Sequence, residues 1–126
     1  MNELTEFQAL QQSLNDSDFV LKTQEQIAKD FGKFNLFFPE EFTTTALSKE
    51  TIESFVSERI ADLMQEGETR LLQLLYTIDL PEKEFLSLTT QADFLAQLSQ
   101  RILFREAYKV YLRKKFSSSG KHPEVE

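Results

Sequence analysis

Cysteine and tryptophan are absent from this 126-residue chain, there is one histidine, and glycine and proline occur three times each. Without cysteine there is no disulfide, no thiolate zinc site and no iron–sulfur cluster. The single imidazole, His122, lies near the end of a polar tail where nothing would orient it, so a histidine-based hydrolytic triad is not expected. Phosphate-cradling GxxxxGK and GxGxxG loops, HExxH and the ExxH of di-iron bundles are also missing. The chain is therefore expected not to be an enzyme, to bind no metal and to need no cofactor.

Long apolar runs are lacking too; none approaches the roughly 20 residues that cross a bilayer. Glu3 and Glu6 stand where a secretory signal would carry basic residues. These features predict a soluble, cytoplasmic protein with no membrane partner. A net charge of −7 makes nucleic acid an unfavoured partner for the molecule as a whole. The charge is uneven: residues 1–68 hold 5 bases and 14 acids, residues 101–126 hold 7 bases and 3 acids.

What the chain does contain is helical periodicity. With so few breakers, the reading is an all-α compact bundle of five or six helices, a single domain over 1–116, followed by a disordered tail at 117–126. Leu4, Phe7, Leu10 and Leu14 share a helical face. Ser17 is a candidate cap for a second helix that buries Val20, Ile27 and Phe31 and stops at Gly32. Ser48 caps a third, with Leu47 and Ile52 placed as a hydrophobic staple and Ile52, Phe55, Val56, Ile60, Leu63 and Met64 on its apolar stripe. Leu71, Leu72, Leu74, Leu75 and Ile78 mark a core helix. Pro81 opens a short helix to about Leu88, and Thr90 with Asp93 resembles a capping box for a last, long helix to about Phe116.

Between the second and third helices the sequence FNLFFPEEF places Phe34, Phe37, Phe38 and Phe42 within nine residues. Burying each ring is worth about 1.5–3 kcal/mol, so these side chains are expected to plug gaps between helices; left exposed, they would form an apolar docking patch.

The last helix carries the main functional expectation. Phe94, Leu95, Leu98 and Ile102 lie on one face, while Leu103, Phe104, Ala107, Val110 and Tyr111 lie roughly opposite. A continuous helix with this switch must be covered on opposite sides at its two ends, by its own domain or by another subunit. Arg101, Arg105, Lys109 and Arg113 form a basic stripe flanked by Phe104, Tyr108 and Tyr111. Glu58, Asp62 and Glu66 form an acidic stripe of the same spacing, so the two stripes could meet within the chain or across a dimer.

The segments LLQLLYTIDLPEKEF, Leu71–Phe85, and LAQLSQRILFREAYKVYLRKKF, Leu95–Phe116, resemble small uncharacterised all-helical proteins of bacteria. The resemblance implies a bacterial setting and a helical fold, and no particular activity. The reading favoured by the residues is a protein-interaction or assembly module that self-associates through its C-terminal helix. The alternative is a module that binds a small anionic or apolar ligand in a pocket lined by the phenylalanine cluster and Arg105. Contact with single-stranded nucleic acid through the basic stripe ranks third.

Overall fold

The computed structural model describes residues 3–118, all of whose regular structure is helical. Seven helices follow in order: α1 (Glu3–Ser13), α2 (Ser17–Gly32), α3 (Glu41–Thr44), α4 (Lys49–Met64), α5 (Glu68–Thr77), α6 (Glu82–Leu88) and α7 (Phe94–Ser118). The one not expected, α3, is a single turn that carries Phe42 into the core. His122 and the tail beyond Ser118 lie outside the described residues, as do the side chains of Leu4 and Phe7.

Each helix boundary has a local cause. At α4 the Ser48 hydroxyl accepts from the Thr51 backbone N–H at 3.1 Å, the expected cap. At α2 the cap is Asp16, whose carboxylate accepts from the N–H of Asp18, and Ser17 is already the first helical residue. Pro81 occupies the cap position before α6. The proposed Thr90 box does not form. Residues 89–93 make turns, and α7 starts at Phe94, with the Asp93 carboxylate accepting from the Gln97 side chain instead.

The stops of α2 and α5 follow one scheme. Asn35 and Asp79 adopt left-handed φ of 62° and 63°, and the next residue donates its N–H back to the helix: Leu36 to Phe31 and Leu80 to Leu75. In both cases the following leucine is buried, which supplies the apolar contact that accompanies this motif. Asn35, not Gly32, therefore turns the chain at the end of α2. Asparagine and aspartate tolerate this conformation better than other non-glycine residues. Gly67, at φ 116°, makes the turn between α4 and α5 in a region closed to side chains.

The main core is built from α2, α4, α5, α6 and the first half of α7: Ile27 and Phe31, then Val56, Ile60 and Leu63, then Leu71, Leu74 and Leu75, then Phe85 and Leu88, then Leu98, Ile102 and Leu103. A second cluster joins Leu10 of α1 and Phe19 of α2 to Ala107 and Val110. The long helix is continuous, and its change of apolar face is answered inside one chain. Its first half packs on α4, and α1 and α2 cover its second half. Leu103, assigned by periodicity to the second face, joins the main core.

The connector between α2 and α4 is pinned rather than draped. Phe42 is fully buried and stacks on Phe38 at 4.1 Å, and Phe55 meets both rings edge-on. Arg59 lies over Phe38 and Phe55 and donates to the Phe37 carbonyl, while Arg70 donates to the Phe34 carbonyl. Phe34 and Phe38 are half-buried, leaving Phe37 alone exposed, at 69%. The four rings thus do not form a surface patch.

Gln24, wholly buried, finishes the connector. Its amide donates to the carbonyls of Phe42 and Thr45 at 2.7 and 2.8 Å, and its carbonyl accepts from the Leu47 N–H at 2.8 Å. A Gln24→Leu change keeps the volume and leaves all three backbone groups unpaired, at about 1–3 kcal/mol for each group that stays dry. We expect a loss of about 2–4 kcal/mol in urea unfolding; a loss under about 0.5 kcal/mol, as for an ordinary surface change, would mean that water replaces the amide.

Candidate functional site

Two polar constellations converge on α7, one sealed and one open. The sealed one begins with Asp30, which the last turn of α2 places against α7, and with Glu106 and Lys109, one turn apart on α7. Asp30 and Glu106 are 1% and 0% exposed. Asp30 accepts from Lys109 Nζ at 2.8 Å and from the Gln26 amide at 3.2 Å. Lys109 also donates to the Thr77 carbonyl of α5, and Arg113 donates to the Gln26 side-chain oxygen at 2.6 Å. The network ties α2, α5 and α7 together.

Burial opposes the charge on Asp30, but hydrogen bonds from Glu106, Lys109 and Gln26, with the charge of Lys109, outweigh it and hold its carboxyl below the ordinary aspartate range. Glu106 goes the other way. Burial, then the hydrogen bond and negative charge of Asp30, push it up to about 10. Neither of its oxygens meets an N–H or O–H donor, and Lys109 Nζ is 3.8 Å from the nearer one. Two carboxylates in contact at this depth cannot both ionise. The pair holds one proton, on Glu106, which donates to Asp30. Acids with pKa values driven apart are a common sign of acid–base chemistry. Here both are closed off from solvent, so no substrate reaches them as the chain stands.

The open constellation is a cleft of about 730 Å³. The end of α1 and the turn after it supply Gln11, Leu14 and Asn15; α2 supplies Val20 and Thr23. The start of α4 brings Leu47, Ser48, Lys49 and Ile52, α6 brings Glu84, and α7 closes the wall with Gln100, Arg101, Leu103, Phe104 and Arg105. The wall mixes aliphatic side chains with three cations and the first turn of α4, where the helix dipole is positive.

The three cations are not equivalent. Lys49 is 2.9 Å from Glu53, and Arg101 is 3.3 Å from Glu84. Among the described residues Arg105 makes no hydrogen bond or ion pair. Its guanidinium carbon lies 5.8 Å from the centre of the Tyr108 ring, and its Nε is buried without an acceptor. Such an orphaned donor costs about 1–3 kcal/mol, a common mark of a position completed by something else.

The expected stripes are therefore taken apart by the fold. Each four-residue step along a helix advances about 40° around it. Over three steps the row Arg101, Arg105, Lys109, Arg113 turns by about 120°, and its members meet α6, the cleft, Asp30 and Gln26 in turn. Glu58 and Asp62 stay exposed on α4, and Glu66 stays exposed in the turn after it. Glu58 pairs with Arg59 and Glu66 with Arg70, and among the described residues no ion pair joins any of the three to the basic row. Phe104, Tyr108 and Tyr111 stack in sequence along α7, half-buried against the α1 cluster. Tyr76 of α5 is 85% exposed. The ligand pocket expected at the phenylalanine connector lies elsewhere: it includes Arg105 as foreseen, but its ring is Phe104, and Phe34, Phe37, Phe38 and Phe42 take no part.

Among the described residues no group of three or more carboxylates or imidazoles stands close enough to hold a metal ion, and no helix is long and apolar enough to cross a membrane. No family model, curated protein or solved structure matches the chain.

Proposed function

We propose that this protein is a non-enzymatic binding module that takes a small anionic or apolar ligand into the cleft between α1, α2, α4 and α7. The observation that carries this reading is Arg105, a cation with no acceptor among the described residues, on the wall of a cleft of about 730 Å³. That volume lies in the range of about 300–1,000 Å³ typical of small-molecule sites, which are mostly apolar with a few convergent polar groups. Sealing of the Asp30–Glu106 pair supports a role without catalysis.

The test is a thermal-shift screen of the full chain against small anions and single-chain amphiphiles, repeated on Gln100→Trp. Gln100 is exposed on the cleft wall, so the indole should fill the cleft without disturbing the core. Ligands should raise the melting temperature of the natural chain and leave the folded variant unmoved; equal shifts in both would place binding elsewhere. Self-association through α7, the other reading the sequence raises, loses its motive, because both apolar faces of the helix are covered within one chain. A light-scattering mass of one chain at low and high salt is the expected outcome, and a dimer at either would restore that reading.

A further inference from the structure

We propose that the cleft selects a monoanionic amphiphile, one carboxylate on an aliphatic or aromatic tail, with Arg105 as the anchor for the charge. This rests on the cleft being the functional site and adds which ligand class it takes.

The charge balance of the wall leads there. Of its three cations, Lys49 is answered by Glu53 and Arg101 by Glu84, which itself lines the cleft. Among the described residues Arg105 is left as one uncompensated positive charge. A monocarboxylate neutralises it. A phosphomonoester or polyphosphate would bring further negative charge into a wall that already holds Glu84, on a body of net charge −7.

Geometry agrees with charge. A guanidinium presents a planar fork that matches the two oxygens of a carboxylate, and the face of Tyr108 holds this one in place. The first turn of α4 adds a partial positive charge without a second full one. Leu14, Val20, Leu47, Ile52, Leu103 and Phe104 give the wall an apolar part that suits a tail, beside the polar side chains of Gln11, Asn15, Thr23, Ser48 and Gln100.

The experiment is isothermal titration of the full chain at pH 7.5 with decanoate, decanol, decyl phosphate and inorganic pyrophosphate, each below its micelle concentration. Decanoate should bind at least tenfold more tightly than decanol or decyl phosphate, and pyrophosphate should not bind. Arg105→Met, confirmed folded by circular dichroism, should bind decanoate no better than decanol. Decyl phosphate binding as tightly as decanoate, or decanol doing so, would overturn the selectivity while leaving the cleft as a ligand site. If none of the four binds the natural chain, this assignment falls whatever the wider screen finds, and the cleft reading falls with it only if that screen is empty too. The comparison between ligands uses the natural chain alone, so it stands even if the variant fails to fold.

Discussion

Glu106→Gln should raise the melting temperature of this protein at pH 7.5, although it removes a charged residue type from a buried polar network. In the folded chain Glu106 is protonated, with its carboxyl moved from 4.5 up to about 10. In the unfolded chain it ionises near 4.5. A group raised on folding contributes its full stability below the unfolded value and loses it as pH climbs toward the folded one. At pH 7.5 the chain is three units into that window, and at about 1.36 kcal/mol per unit the loss is bounded near 4 kcal/mol. Glutamine cannot ionise in either state, and its amide can donate to Asp30 as the protonated acid does. The expected gain is about 2–4 kcal/mol, or roughly 6–15 °C for a domain of this size. It should shrink toward zero near pH 4.5. A variant less stable than the natural chain at pH 7.5, with an unchanged pH profile, would mean that Glu106 is ionised in the fold.

Asp30→Ala should do the opposite, at a cost of about 3–5 kcal/mol, because removing one partner of a buried pair strands the other. Lys109, 22% exposed, would lose its nearest acceptor, and the Gln26 amide and the Glu106 proton would lose theirs. Two signatures separate this from simple loss of packing. Asp30 is a carboxyl lowered on folding, so the natural chain carries its contribution above the unfolded value near 3.8 and loses it as pH falls through the lower folded value. That acid limb should be missing from the variant. Without Asp30, Glu106 is also free to ionise beside Lys109, so adding Glu106→Gln to Asp30→Ala should bring no stabilisation. Strict additivity of the two changes would show that the acids do not share a proton.

The sequence is legible wherever a single helix settles the matter by itself. The start of α4 is the clearest case. Ser48 caps it, Leu47 and Ile52 flank the cap, and Val56, Ile60 and Leu63 are buried at the predicted spacing. Met64, predicted for the same stripe, lies in the last turn and is half out in solvent. Both faces of α7 are readable in the same way, apart from Leu103, which belongs to the main core. What single-helix periodicity could not supply was which neighbour each residue meets. Lys109 reads as one of four equivalent cations until α2 is docked, and Asp30 reads as a polar residue beside Phe31. A signal was present: Glu106 falls four residues after Ile102 and four before Val110, inside the arc that must be covered. An acid in such a place is either paired or protonated. Gln24, four residues after Val20 and three before Ile27, carried a similar signal. The cleft left none, since its wall comes from five helices far apart in sequence.

The second cluster also has a meaning in time. Leu10 leaves the ribosome about a hundred residues before Ala107 and Val110, which help to cover it. At about 5–20 residues per second, α1 waits roughly 5–20 s for its seat. Until then Leu10 has only Phe19 of α2 from its cluster for a neighbour, and closing the long loop to α7 is the step that completes its cover. Chains arrested at successive lengths and treated with protease should be cut within α1 until α7 is complete, and protected after. α1 is thus made long before the helix that seats it, and wherever α1 is displaced in the finished protein the cleft that it borders opens with it.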